Sequence, residues 1–201
     1  MDTQHDVCDG GKDVRDDELE HMERLDAEIS ELAAQILRWC GERGLKIACA
    51  ESLTGGLLAN AFVSVPGASS VFLGSAVTYD IRAKASVLHV DSELLRREGA
   101  VDPEVARQMA RRTAQLFCQS QDEGKVIGLS TTGVAGPDPD GEKPVGLVYS
   151  GVSLPEFFKN YESSLEYVFK LELRGSRQII RRETVRCVLQ NLRELTGSSQ
   201  E

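Results

Sequence analysis

The chain has 201 residues, 41% of them hydrophobic, enough for one good core and too few for a second full domain. Its net charge of -9 is unevenly placed: residues 1–31 hold 12 of the 32 acidic residues and 3 of the 23 basic ones, so the remainder is balanced. That balance argues against a nucleic-acid footprint, and without a long apolar run or a basic-then-apolar start the expected location is the cytoplasm, with no membrane contact.

Residues 1–16 show no periodicity and read as a disordered acidic leader, with a single domain expected over 17–197. From Leu19 the apolar positions Leu19, Met22, Leu25, Ile29, Leu32, Ile36 and Trp39 recur at helical steps until Gly41 and Gly44. A strand follows over 45–50, then a turn carrying Ser52 and a helix from about Thr54 to Val63, closed by Pro66-Gly67. Val71 to Tyr79 reads as a lead-in and a strand, and Asp80 to Leu88 as a helical turn or two. Asp91 and Asp102-Pro103 each signal a helix start, the first helix stopping at Gly99 and the second running to about Gln119. Strands are expected over 126–132 and 145–152, separated by the turn-rich loop Gly133 to Pro144. Leu154 to Ser163 is a polar excursion, 166–173 alternates as a strand, and Gly175-Ser176 opens a final helix to about Leu195. Strands alternating with helices predict an α/β sandwich, with an antiparallel pair at the long loop.

The five cysteines (Cys8, Cys40, Cys49, Cys118 and Cys187) have irregular spacing, with no Cys-x-x-Cys pair, and read as idle thiols. The three histidines, His5, His21 and His89, form no cluster. No phosphate loop, dinucleotide fingerprint or nucleophile elbow is present. The remaining candidates are Ser52, Thr54, Gly55, Gly56, Tyr79, Lys84, the Gly133 to Pro144 loop and Arg177. Each has a plain alternative. Ser52 and Thr54 can cap the next helix, Lys84 can lie solvated on a helix face, Tyr79 can be a strand residue, and the loop can be a mere connection. Arg177 falls in the first turn of the last helix, where the dipole disfavours a cation, so it is either solvated or facing an anion.

Taken together, Ala50-Glu51-Ser52-Leu53-Thr54-Gly55-Gly56, Val77-Thr78-Tyr79 with Ala83-Lys84, Gly99-Ala100-Val101, Thr132-Gly133-Val134-Ala135-Gly136-Pro137, Lys143-Pro144-Val145-Gly146 and Gly175-Ser176-Arg177 resemble the ordered motifs of the CinA carboxy-terminal domain. That competence/damage-inducible family includes nicotinamide mononucleotide deamidases. The resemblance runs from about Leu25 to Leu195. It implies a three-layer α/β/α sandwich with a mostly parallel mixed sheet, and hydrolysis of nicotinamide mononucleotide to nicotinic acid mononucleotide and ammonia, with no metal and no cofactor. It implies Ser52 as nucleophile and Lys84 as general base. Tyr79 and Thr132 are implied as partners of that pair, backbone N–H groups at Thr54, Gly55 and Gly56 as oxyanion donors, and Gly133, Gly136 and Arg177 as substrate contacts, Arg177 on the phosphate. The sequence departs from the family pattern at Ile81, at Asp102 and in Asp138-Pro139-Asp140-Gly141. These departures leave a catalytically silent nucleotide-binding or regulatory module as the alternative. Longer members carry an amino-terminal domain for which the residues ahead of the first strand are too few, so a stand-alone form is expected. The amphipathic first helix can pack on its own sheet or on a second copy, which keeps a homo-oligomer open.

Overall fold

The strand β1 (Lys46–Glu51) is buried from Ile47 to Glu51, the pattern of a central parallel strand covered on both faces. A computed structural model describes residues 14–158 and 165–197. It places β1 between β2 (Phe72–Val77) and β3 (Val126–Gly133), parallel to both, and continues the sheet through β4 (Leu147–Ser153) to β5 (Glu166–Glu172) in the order β2-β1-β3-β4-β5. β4 runs antiparallel to β3 and β5 antiparallel to β4, so four of the five strands point the same way. The pairing across the long loop was expected; the second antiparallel pair arises because β5 returns beside β4 after only a short excursion.

One face of the sheet carries α1 (Val14–Glu42), α2 (Leu57–Val63) and α6 (Arg177–Thr196), which bury Ile36, Trp39, Phe62, Val188 and Leu189 against Ile47, Cys49, Ile127 and Leu129. The other carries α3 (Ile81–Leu88), α4 (Ser92–Glu98) and α5 (Pro103–Phe117), whose Leu88, Leu94, Val105 and Met109 pack on Ala50. This is the expected three-layer α/β/α sandwich. The apolar stripe of α1 from Ile29 to Trp39 packs within its own chain, on the face shared with α2 and α6, while Leu19 near its start stays exposed. Among the described residues no helix is long and apolar enough to cross a membrane.

The seating of α5 depends on absent side chains. A Cβ on Gly128 would stand 2.0 Å from Ala110 O, so only glycine lets the helix backbone lie directly on β3. Thr113 Oγ1 donates to Cys49 O at 2.8 Å and Ser130 Oγ to Ala106 O at 2.6 Å, fixing that close approach.

The caps read from sequence are present: Asp91, Asp102 and Ser176 each accept a first-turn N–H of the helix they precede, and Asp80 does the same for α3. Three expectations change. The leader expected over 1–16 lies outside the described residues up to residue 13, while 14–16 already belong to α1, with Asp16 and Asp17 favourably placed in its first turn. α2 starts at Leu57 instead of Thr54, because Gly55 and Gly56 take positive φ and hold Ser52–Gly56 in a turn. The polar excursion is anchored by apolar residues: Leu154 is buried, and Phe158 stacks on Trp39 with ring centroids 6.1 Å apart. Residues 159–163 of that excursion lie outside the described residues.

Candidate active site

The parallel strands β1 and β3 are joined to the rest of the sheet by connections leaving in opposite directions, so a crevice opens beyond their carboxyl ends, the usual ligand position in an open α/β sheet. Ser52 is the first residue past β1. Its backbone N–H donates to Thr131 O at 3.1 Å, which ties the turn to β3.

Glu51, just before it, is wholly buried. Its carboxylate accepts from the N–H groups of Gly56, Leu58 and Ala59 at 2.8, 3.0 and 2.9 Å and from Ser75 Oγ at 2.8 Å. The chain therefore fills the positive end of α2 with its own anion. This corrects the oxyanion expectation for the glycines: Gly56 N–H is taken by Glu51, and Gly55 N–H donates to Ser52 O at 3.1 Å. From Ser52 to Ala59 only the N–H groups of Leu53 and Thr54 have no acceptor among the described residues.

Lys84 is brought in by α3. Asp80 caps that helix, and one turn later Lys84 faces inward with no exposed surface. Its Nζ lies 2.9 Å from Ser52 Oγ and donates to Thr78 O at 2.6 Å. Burial pushes the ammonium down from its ordinary 10.5 to about 8, with the Asp80 carboxylate opposing the shift. Ser52 is itself 7% exposed and does not cap α2, and Lys84 is not a solvated helix-face lysine. When Lys84 is neutral it can still donate to Thr78 O while its lone pair accepts from the Ser52 hydroxyl, so the carbonyl orients the base.

The other expected residues fall into two groups. Thr54 lies beneath the turn, its Oγ1 2.8 Å from Thr131 Oγ1. Thr132, in contrast, points to the opposite face of β3 and donates to Ala100 O at 2.6 Å, so it holds the Gly99-Ala100-Val101 segment and does not bond the Ser52–Lys84 pair. Gly133 is a packing glycine: a Cβ there would be 2.7 Å from Leu147 O. At the rim, Arg177 Nη1 donates to Gly136 O at 2.6 Å and Nη2 to Tyr79 Oη at 3.3 Å, which joins three expected residues from distant loops. Tyr79 is 62% exposed and its hydroxyl bonds Arg177, not Ser52 or Lys84. Ile81, where the sequence leaves the family pattern, begins α3 beside a hollow of about 470 Å³ with Arg82, Ala85 and Leu95, while Lys84 points inward to Ser52.

Sequence reasoning missed Glu51 and Thr131 as parts of the site, and it missed Arg181, whose Nε and Nη2 donate to Leu53 O at 2.9 Å and Thr54 O at 2.8 Å. A charged residue ending the apolar run Ile47–Ala50 was the available signal for Glu51.

Fold and site together define a three-layer α/β/α domain with a buried serine–lysine pair at the ends of its parallel strands. The CinA C-terminal domain model matches residues 29–196, and the chain belongs to that family. It is 45% identical over 157 residues to a competence-damage inducible protein of Caldanaerobacter subterraneus subsp. tengcongensis, covering 78% of this chain and 34% of the relative. A protein of the same description from Clostridium botulinum strain Langeland is 43% identical over 166 residues, covering 82% of this chain and 36% of the relative. The chain thus spans about a third of the length of these curated relatives. Among solved structures, the competence/damage inducible protein CihA from Agrobacterium tumefaciens superposes with a TM-score of 0.73 at 33% identity, over 84% of this chain and 96% of that one.

Proposed function

We propose that this domain is an amidohydrolase that converts nicotinamide mononucleotide to nicotinic acid mononucleotide and ammonia. The observation that carries the reading is the buried Lys84 Nζ, 2.9 Å from Ser52 Oγ, in surroundings whose burial pushes the ammonium down to about 8. A solvated lysine near 10 would be a poor base at neutral pH, whereas burial leaves about a tenth of Lys84 neutral at pH 7. Neutral Lys84 takes the Ser52 proton as Oγ bonds to the carboxamide carbon. The C–N bond then breaks, and Lys84 returns the proton to the departing nitrogen, releasing ammonia and leaving an ester on Ser52. Water, deprotonated by Lys84, attacks that ester; the acid departs and the serine is restored. The free N–H groups of Leu53 and Thr54 are the donors for the tetrahedral oxyanion. Arg177, exposed at the rim and held by Gly136 O and Tyr79 Oη, suits the substrate phosphate.

Purified protein should release ammonia from nicotinamide mononucleotide, and Ser52→Ala should lose about 10³-fold or more in kcat. Undiminished deamidation by Ser52→Ala would overturn the reading. The pH dependence has a set sign. Lys84 must be neutral to act, so kcat/KM should rise about tenfold per pH unit up to about 8 and level off above it. A flat profile between pH 6 and 8 would remove Lys84 as the base.

A further inference from the structure

Arg181 sits four residues after Arg177 on α6, on the same helix face, yet it does a different job. Among the described residues it is in no ion pair; its guanidinium is spent on two backbone carbonyls, Leu53 O and Thr54 O, directly after the serine. The cis peptide of the described residues is Gly136–Pro137, so the Leu53–Thr54 peptide is trans, and its C=O and N–H point in opposite directions. With Leu53 O drawn to α6 at 2.9 Å, the N–H of Thr54 is turned to the other side of the peptide plane, away from α6. The next peptide obeys the same logic: Thr54 O is held at 2.8 Å, and the N–H of Gly55 turns back to Ser52 O. Gly55 has φ 56, and an added Cβ would lie 3.4 Å from Arg181 Nη2, so a side chain there would crowd the guanidinium. A fixed cation on the carbonyl side of a peptide also polarises its N–H, making it a stronger donor.

We infer that Arg181 is a positioning residue, locking the Leu53–Thr54 peptide so that the Thr54 N–H faces the oxyanion formed on attack by Ser52. The inference rests on the amidohydrolase reading for its substrate, but not for its geometry. Glu51 strengthens it by elimination, because the neighbouring amides at Gly56, Leu58 and Ala59 are already committed.

The test compares wild type with Arg181→Lys and Arg181→Ala by two readouts: ammonia release from nicotinamide mononucleotide, and the rate at which a fluorophosphonate phosphonylates Ser52, measured by intact mass. A lysine keeps the charge but cannot hold two carbonyls in one plane. Arg181→Lys should lose about 10- to 100-fold in kcat with KM within about twofold, and should label more slowly by a similar factor. Millimolar methylguanidinium should restore part of the rate of Arg181→Ala without moving its thermal midpoint, which a merely structural role would not allow. Wild-type rates in Arg181→Lys, a loss confined to KM, or failure of the rescue would each overturn the inference. A wild type that is silent on the nucleotide but readily phosphonylated, with slow labelling of Arg181→Lys, would sink the substrate assignment and uphold Arg181. Absence of labelling in wild type would overturn both.

Discussion

Lys84→Met should abolish ammonia release while leaving the domain at least as stable as wild type at pH 7. Methionine matches lysine in length and fills the same buried space without a charge. In the folded chain the ammonium titrates near 8 and in the unfolded chain near 10.5, so at pH 7 both states hold the proton and the native state carries a penalty of about 3 kcal/mol. The penalty is complete below pH 8 and fades as pH rises towards 10.5, where the unfolded state also loses its proton. Methionine removes it but leaves the Thr78 carbonyl without its donor, which costs about 1–3 kcal/mol. A net gain of about 1 kcal/mol, or a rise of about 2–4 °C in Tm, is expected at pH 7, shrinking towards pH 10. Thermal unfolding at both pH values, beside the ammonia assay, checks this. A variant that is clearly destabilised at pH 7, or that still turns over, would show that Lys84 is not a strained base.

Glu51→Gln should be among the most damaging conservative changes in the chain. The carboxylate is surrounded by donors only, three backbone N–H groups and the Ser75 hydroxyl. A glutamine offers one oxygen and sets an NH₂ group against the remaining donors, so at least one buried amide is orphaned and the α2 dipole loses its anion. A loss of about 2–4 kcal/mol is expected, seen as a fall of several degrees in Tm and faster hydrogen exchange at Gly56, Leu58 and Ala59. A loss below about 1 kcal/mol would mean that water replaces the carboxylate at little cost.

These two residues also show what a sequence can and cannot disclose. Lys84 was reachable because the family motifs pair it with Ser52, although its own surroundings read like any helix-face lysine. Its burial depends on α3 being turned inward against the end of β1, a tertiary fact with no local signature. Asp91, Asp102 and Ser176 were legible because an N-cap acts on amides two or three residues away. Glu51 caps α2 from the preceding strand, across five to eight residues, and no cap pattern describes that arrangement. Thr132 was expected beside the Ser52–Lys84 pair, and its hydroxyl is bonded to Ala100 O instead. Adjacent strand residues face opposite sides of the sheet: Thr131, paired with Glu51, sends its hydroxyl to Thr54 Oγ1, while Thr132 turns to the segment ahead of α5. Arg181 was invisible because its targets are carbonyls 127 and 128 residues earlier, and carbonyls leave no trace in side-chain patterns.

Those long separations have a consequence for how the chain becomes competent. Ser52 meets Lys84 across 32 residues, Thr131 across 79, and the guanidinium that orders its loop reaches back from the last helix. No fragment ending before Arg181 can assemble this cluster, which draws on β1, α3, β3 and the start of α6. A chain nicked ahead of α6 would keep Ser52 and Lys84 but lose both guanidinium bonds to the turn between β1 and α2.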